Sequence, residues 1–265
     1  MSSEIDAINR RTMNGRRAVA QYGRGDTLSA AEAAALARVA DEAMGRPILD
    51  LGVGGGRTVA ALRAVSNDYV GVDYSKAMVE ATKRRYPGAR FVHADARDLA
   101  FLADRSIFLA VFSCNGIGMV NHEDRLAILR EVRRVLVPGG VFLFSTHNQR
   151  CPDHDAGFQL PALEPSANPA KLVVRIARFT RSAAARAYNR WRLDRHSRRG
   201  LEYSIINDVC HDYGVMLYYI GLEAQRRQLV AAGFEADAEA FDLEGRLITG
   251  DSTHSSITLL ARARA

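Results

Sequence analysis

The sequence predicts a doubly wound α/β fold, and three observations carry that prediction. Short apolar runs alternate with amphipathic helical stretches from residue 47 to residue 145; the first run ends in a glycine cluster, Gly52-Val-Gly54-Gly55-Gly56; and two further strand-like runs close the chain. Strands buried on both faces read as continuous apolar runs, and helices between them read at a 3.6-residue period. That is the pattern of βαβ units building a parallel sheet covered on both sides. Right-handed crossovers then wind the sheet in both directions.

Residues 1–46 read as helical, with Ala and Leu clustered from Leu28 to Met44 behind an N-cap at Ser29. The apolar run from Pro47 to Leu51 is a strand that turns at the glycines into a helix over Arg57–Val65. Tyr69–Asp73 is the second strand, followed by a helix over Lys76–Arg85; Phe91–Asp95 is the third and Ile107–Ser113 the fourth. A helix over Glu123–Leu136 leads through the Pro138-Gly139-Gly140 turn to a fifth strand, Val141–Ser145. The pattern breaks from 151 to 201, where Asn168-Pro169 opens a basic helical stretch, because proline suits the first helical position. Ser182 is placed to cap a second helix within it. Glu202–Val209 and Tyr213–Ile220 alternate like antiparallel strands, Glu223–Ala232 is a helix stopped by Gly233, and Phe234–Phe241 and Ser256–Ala263 are the closing strands. The expected division is an amino-terminal cap (1–46), an α/β core (47–150), an insert or lid (151–221) and a return to the core (222–265).

The 265 residues, 48% of them hydrophobic, suffice for one sizeable core. Cys114, Cys151 and Cys210 are an odd, widely spaced set without a CxxC pair, which argues against a disulfide framework and a cysteine-rich zinc site. The amino terminus lacks an apolar signal-like region and no run is long enough to span a bilayer, so the expected location is cytoplasmic. The net charge of +6 is local: Lys171–Gly200 holds ten basic residues against Asp194 alone, which leaves the rest of the chain at −3.

The segment Asp50-Leu-Gly52-Val-Gly54-Gly55-Gly56 carries the most chemistry. Glycines after a buried strand permit positive φ and let a ligand approach the backbone where a Cβ would collide. The helix that follows points free N–H groups toward that ligand. A dinucleotide fingerprint needs glycine three residues after Gly54, where Arg57 stands, and a phosphate-binding Walker loop needs a lysine that Gly56-Arg57-Thr58 lacks. An acid still on the strand, Asp50, suits a ligand bearing a cationic amine better than a pyrophosphate.

At these residues the chain resembles the class I S-adenosylmethionine-dependent methyltransferases, over roughly Pro47–Ser145 and again Leu222–Leu260. The resemblance implies a seven-stranded Rossmann-like sheet with S-adenosylmethionine as cofactor and S-adenosylhomocysteine as product. It also implies that Asp73 accepts the ribose hydroxyls and Asp95 the adenine amino group, with Tyr74 and Met78 packed near ribose and adenine. Ala96 would offer a backbone N–H to the adenine, Cys114 and Asn115 would line the floor near the methionine portion, and Tyr22 would close over the cofactor. The run from Leu129 to Ser145 and the closing strands, similar to that family's reversed final hairpin, agree with it in order.

If the acceptor is a hydroxyl or ammonium group, a base must take its proton. His147, at the carboxyl end of the fifth strand, is the first candidate; His211, in the tip of the insert hairpin beside Tyr213, is the second. Asp153-His154-Asp155 reads as a polar loop, and no metal site is expected. The insert is expected to decide the acceptor. Its apolar residues Leu172, Ile176, Phe179, Ala183, Ala187 and Trp191 recur at helical period, with Arg175, Arg178 and Arg186 on a neighbouring face. The expected partner is a small-molecule acceptor, anionic or carried on an anionic membrane surface if the arginines bind it, and otherwise met by a lid whose arginines are merely solvated. A nucleic acid is the competing reading, because a basic patch is its electrostatic footprint. Ser113-Cys114-Asn115-Gly116 lacks the proline-containing motifs of nucleobase methylases. A nicotinamide oxidoreductase and a catalytically silent binding module are the remaining alternatives, and oligomeric state is left open.

Overall fold

β1 (Ile48–Leu51) lies between β2 (Tyr69–Asp73) and β4 (Ile107–Phe112), parallel to both, in a computed structural model that describes residues 4–15, 18, 22 and 27–265. β3 (Arg90–His93) pairs parallel outside β2, and β5 (Leu136–Asn148) pairs parallel outside β4. The chain therefore leaves β1 toward one edge and returns to build toward the other, so a crevice opens at the carboxyl ends of β1 and β4, where open α/β sheets bind ligands. β11 (Ser256–Arg262) runs antiparallel between β5 and β9 (Glu239–Phe241), and β10 (Leu247–Ile248) pairs outside β9. The five parallel strands β1–β5 and the reversed β11 follow the expected order. The strand expected over Phe234–Phe241 is shorter, because Phe234 makes only an isolated bridge to Ala263 before β9 begins.

Alternation along β5 shows why both faces are covered. Phe142 and Phe144 point to the face packed by Ile128, Leu129 and Val132 of the helix His122–Val135, whereas Val141 and Leu143 point to the face packed by Ala35 and Leu62. Ser29 makes the expected cap as a full capping box: its hydroxyl accepts from the Glu32 N–H, and Glu32 reaches back to the Ser29 N–H.

The segment expected to be a lid is built differently. Asn168 caps one uninterrupted helix, Pro169–Leu193, and Ser182 does not break it. The Ser182 hydroxyl donates instead to Asp212 at 2.6 Å, so a tertiary partner holds the group that was expected to cap a second helix. The hairpin of β7 (Tyr203–Asp208) and β8 (Val215–Ile220) extends the central sheet, because β8 pairs parallel with the end of β5 at His147–Tyr219 and Asn148–Ile220. β6 (Arg198–Arg199) adds a short strand outside β7. The amino-terminal helix Glu4–Met13 docks on this extension: the Asn9 amide donates to the Met119 and Met216 carbonyls at 2.7 and 2.8 Å and accepts from the Met216 N–H. Beneath it, fully buried Arg125 donates to the Ile117 carbonyl at 3.1 Å, the Thr146 hydroxyl at 3.0 Å and the Gln225 side chain. With no carboxylate among those partners, burial lowers its pKa to about 10.

Candidate functional site

A cleft of about 760 Å³ opens at the crevice between β1 and β4. Its floor is the glycine turn. Gly52 (φ +62°) and Gly54 (φ +51°) both sit in the left-handed region, and a Cβ on Gly52 would lie 2.7 Å from the Phe112 ring. A Cβ on Gly54 would meet nothing closer than 3.8 Å, so there the absent side chain leaves bare backbone facing open space. The turn is gripped from behind by the helix Lys76–Arg85: the Thr82 hydroxyl donates to the Gly54 carbonyl, and Arg85 donates to the Gly55 carbonyl at 2.9 Å.

Asp73 ends β2 on the wall of the cleft. Its two oxygens accept the backbone N–H of Gly54 at 2.9 Å and of Ser75 at 2.8 Å. Burial raises its pKa, and those two N–H groups work against the rise. Each oxygen keeps an acceptor position for a further donor. Tyr74, Met78, Ala96 and Tyr22 line the same cleft, as expected, together with Cys114.

Three of the expected residues stand behind the wall. Asp50 is fully buried, accepting the Thr58 hydroxyl at 2.6 Å and the Tyr69 hydroxyl at 2.8 Å, both on Oδ2, while Oδ1 has no partner. Burial pushes its pKa up to about 6, and the two hydroxyls limit the rise. Asp95 does not reach the cavity. Arg97 holds its carboxylate at 2.9 and 2.7 Å, Arg10 adds a further contact, and Ala94 and Ala96 on either side form the wall instead. Burial alone would raise the Asp95 pKa, but the hydrogen bonds from Arg97 leave it lowered. Asn115 turns away too. Its side-chain oxygen accepts the Ser256 hydroxyl at 2.8 Å, and its amide lies 3.5 Å from His147 Nδ1. Cys114 and Asn115 both take positive φ, at +54° and +56°, an uncommon conformation for non-glycine residues and one that clusters at functional sites.

The two expected bases occupy different places. His147 lies outside the cleft lining, beside Asn115, with its ring 5.0 Å from Tyr219, and burial lowers its pKa to about 4. His211 also lies outside the cleft lining, its Nε2 3.3 Å from the hydroxyl of Tyr22, which does line the cleft. It belongs to a left-handed turn in which His211, Asp212 and Tyr213 all have positive φ, held by the Asn207 amide donating to the Tyr213 and Val215 carbonyls at 2.8 and 3.0 Å. The Tyr213 hydroxyl is occupied elsewhere, donating to the Gly157 carbonyl and accepting from the Gln159 N–H, both at 2.8 Å. In the Asp153-His154-Asp155 loop, Asp155 is ion-paired with Arg199.

Residues 48–140 match the family model of a methyltransferase domain. Over 113 residues, 42% of each chain, the sequence is 34% identical to a protein of Mycolicibacterium smegmatis named as a probable S-adenosylmethionine-dependent methyltransferase. Over 99 residues it is 42% identical to the demethylmenaquinone methyltransferase of Clavibacter sepedonicus, covering 36% of this chain and 39% of that one. Over this core the chain is similar to S-adenosylmethionine-dependent methyltransferases. The likeness of fold extends through most of the chain: an S-adenosylmethionine-dependent methyltransferase from Clostridium acetobutylicum superposes with a TM-score of 0.59 at 12% identity, covering 89% of this chain and 92% of that one. The curated relatives are matched over only about two fifths of their length.

Several residues of the methyltransferase core escaped sequence reasoning. Phe112, Ser113, Gly116 and Met119 line the cleft, as does Met13 from the amino-terminal helix. Arg57, which breaks the dinucleotide spacing, grips Glu32 through two hydrogen bonds of 2.7 Å and reaches the Ser113 hydroxyl at 3.2 Å. The signal for the residues at the end of β4 was their adjacency to Cys114. Nothing local marks Met13 or Arg57.

Proposed function

We propose that the cleft binds S-adenosylmethionine and that the protein transfers its methyl group to a small-molecule acceptor. The observation that carries this reading is Asp73, a buried carboxylate on the cleft wall whose two oxygens are oriented by backbone N–H groups and still have lone pairs facing the cavity. A vicinal diol is the natural partner of such a group. The residues around it fit the rest of the cofactor: bare backbone at Gly54, apolar Met78, Ala94 and Ala96 for a base, and buried Asp50 with an unpartnered oxygen near the turn, whose charge favours a cationic amine.

The cofactor supplies a methyl group already activated by its sulfonium. The work left to the chain is to align the acceptor, exclude water and take a proton. Cys114, Met119 and Tyr22 also line the cleft. We assign proton acceptance to His211, whose Nε2 faces the cleft through Tyr22. The Tyr22 hydroxyl, raised to about 12 by burial, stays protonated and relays or orients rather than acting as base. His147 holds Asn115 in place from outside the cleft. The acceptor class is supported by relatives named as demethylmenaquinone methyltransferases, whose acceptor is a quinone and not a nucleic acid. A methyl-transfer assay with labelled S-adenosylmethionine and a panel of quinols, phenols and amines tests the reading. Turnover on one class supports it; transfer to RNA alone contradicts the acceptor assignment.

A further inference from the structure

The long helix Pro169–Leu193 is inverted relative to an ordinary surface helix. Its body-facing side is held by polar contacts: Arg186 bonds the Asp212 carboxylate at 3.1 Å, and Arg190 bonds the Asn207 carbonyl at 2.8 Å. The outward side is largely apolar, interrupted by exposed Thr180. Val173, Ala177, Ala184, Tyr188 and Trp191 recur at spacings of three, four and seven residues, so they share one stripe, and all five are exposed. Trp191 is 78% exposed, Val173 67% and Tyr188 58%. Val174 and Ile176 widen the stripe on either side at 50% and 44% exposure. Soluble surfaces rarely leave such a strip unpartnered. Lys171, Arg178 and Arg181 stand along one edge, and neither Arg178 nor Arg181 makes a hydrogen bond or ion pair with any described residue.

We propose that this helix docks flat on an anionic lipid bilayer, burying the stripe among the acyl chains at the interface and placing its free arginines among the headgroups. The chemistry selects that occupant. A helix lying in the interface needs an apolar face, cations along its polar boundary and aromatic residues at headgroup depth, and Tyr188 and Trp191 supply the last at one end. No described helix is long and apolar enough to cross a membrane, so the contact is peripheral. A second copy of the chain is a poor occupant, because a twofold interface over this helix would set its cationic segment, ten basic residues against Asp194, against itself. Nucleic acid would meet the arginines but leave the stripe in water. The inference is independent of the methyl-transfer reading and stands or falls without it.

The protein contains one tryptophan, and it lies on the stripe, so its own fluorescence reports the event. Vesicles of phosphatidylglycerol and phosphatidylcholine are added to the full chain at low salt, with sedimentation as a second readout. The expected result is a blue shift of Trp191 emission with co-sedimentation on anionic vesicles, and little of either on pure phosphatidylcholine. Arg178→Gln with Arg181→Gln should weaken partitioning about thirtyfold, the effect of two cations near an anionic surface. Val173→Asp, whose side chain meets solvent and is not needed for folding, should remove the blue shift while leaving circular dichroism unchanged. An unshifted spectrum on anionic vesicles overturns the proposal. So does a shift that grows with protein concentration without lipid, which assigns the stripe to a second copy, an equal shift with duplex RNA, or vesicle binding that Val173→Asp leaves untouched.

Discussion

The Asp73 carboxylate accepts the Gly54 N–H at 2.9 Å, which ties the carboxyl end of β2 to the turn that follows β1. One side chain thereby ties down the glycine turn and places a carboxylate on the cleft wall. Asp73→Ala should weaken S-adenosylhomocysteine binding by about 1–3 kcal/mol, since buried hydroxyls lose a charged acceptor. Titration calorimetry checks it, and wild-type affinity in the variant removes Asp73 as the diol ligand.

Asp50 couples binding to protons. Its pKa in the empty protein is about 6, raised by burial, and a cationic amine nearby favours the ionised form. The complex then holds fewer protons than the free protein around pH 5–6, so affinity should rise as pH increases through about 6 and level off above it. Calorimetry in buffers of different ionisation enthalpy measures the proton released. Equal proton release across that range in wild type and Asp50→Asn shows that Asp50 is not the coupled group.

The two histidines should separate kinetically. His211→Ala is expected to lower kcat by about 10²–10⁴, the usual range for loss of a general base, with cofactor affinity unchanged. Tyr22→Phe should have a smaller effect on kcat. His147→Ala, which only holds Asn115, should cost far less in kcat; if the two alanine variants exchange these outcomes, the roles assigned here are reversed.

His147 also leaves a mark on stability. Burial holds its folded pKa near 4, below the ordinary value of 6.5. Between those values the unfolded chain binds a proton that the folded protein refuses, so this group's contribution is lost as pH falls from about 6.5 to 4, by on the order of 3 kcal/mol. Asp50, with its raised pKa, acts with the opposite sign over much of that window. The comparison that isolates His147 is therefore His147→Gln against wild type: Tm should fall less steeply with acid in the variant. Parallel Tm profiles count against a neutral, enclosed His147.

Much of the fold was legible because its signals are local. Each strand from β1 to β5 is a short apolar run, and the glycine turn, Asp73, Tyr74 and Met78 follow at fixed spacing from those runs. What was not legible depends on residues far apart in the chain. Asp95 was expected to end its strand, yet β3 stops at His93 and Arg10, 85 residues earlier, reaches the Asp95 carboxylate. Asn115 follows Cys114 directly, but Ser256, 141 residues later, takes its side chain away from the cleft. Ser182 has the composition of a cap and serves as a donor to Asp212. The insert hairpin read correctly as two antiparallel strands, while its pairing with β5 is set by a two-residue register that no sequence pattern marks.

The central claim is that the cleft over Gly52, Gly54 and Asp73 is built for adenosylmethionine, and equilibrium binding tests it most directly. Calorimetric titration of the purified protein with S-adenosylhomocysteine should show one site per chain, saturating well below millimolar concentration and weakened by Asp73→Ala. Absence of binding at millimolar ligand, by a protein with native circular dichroism, would contradict it.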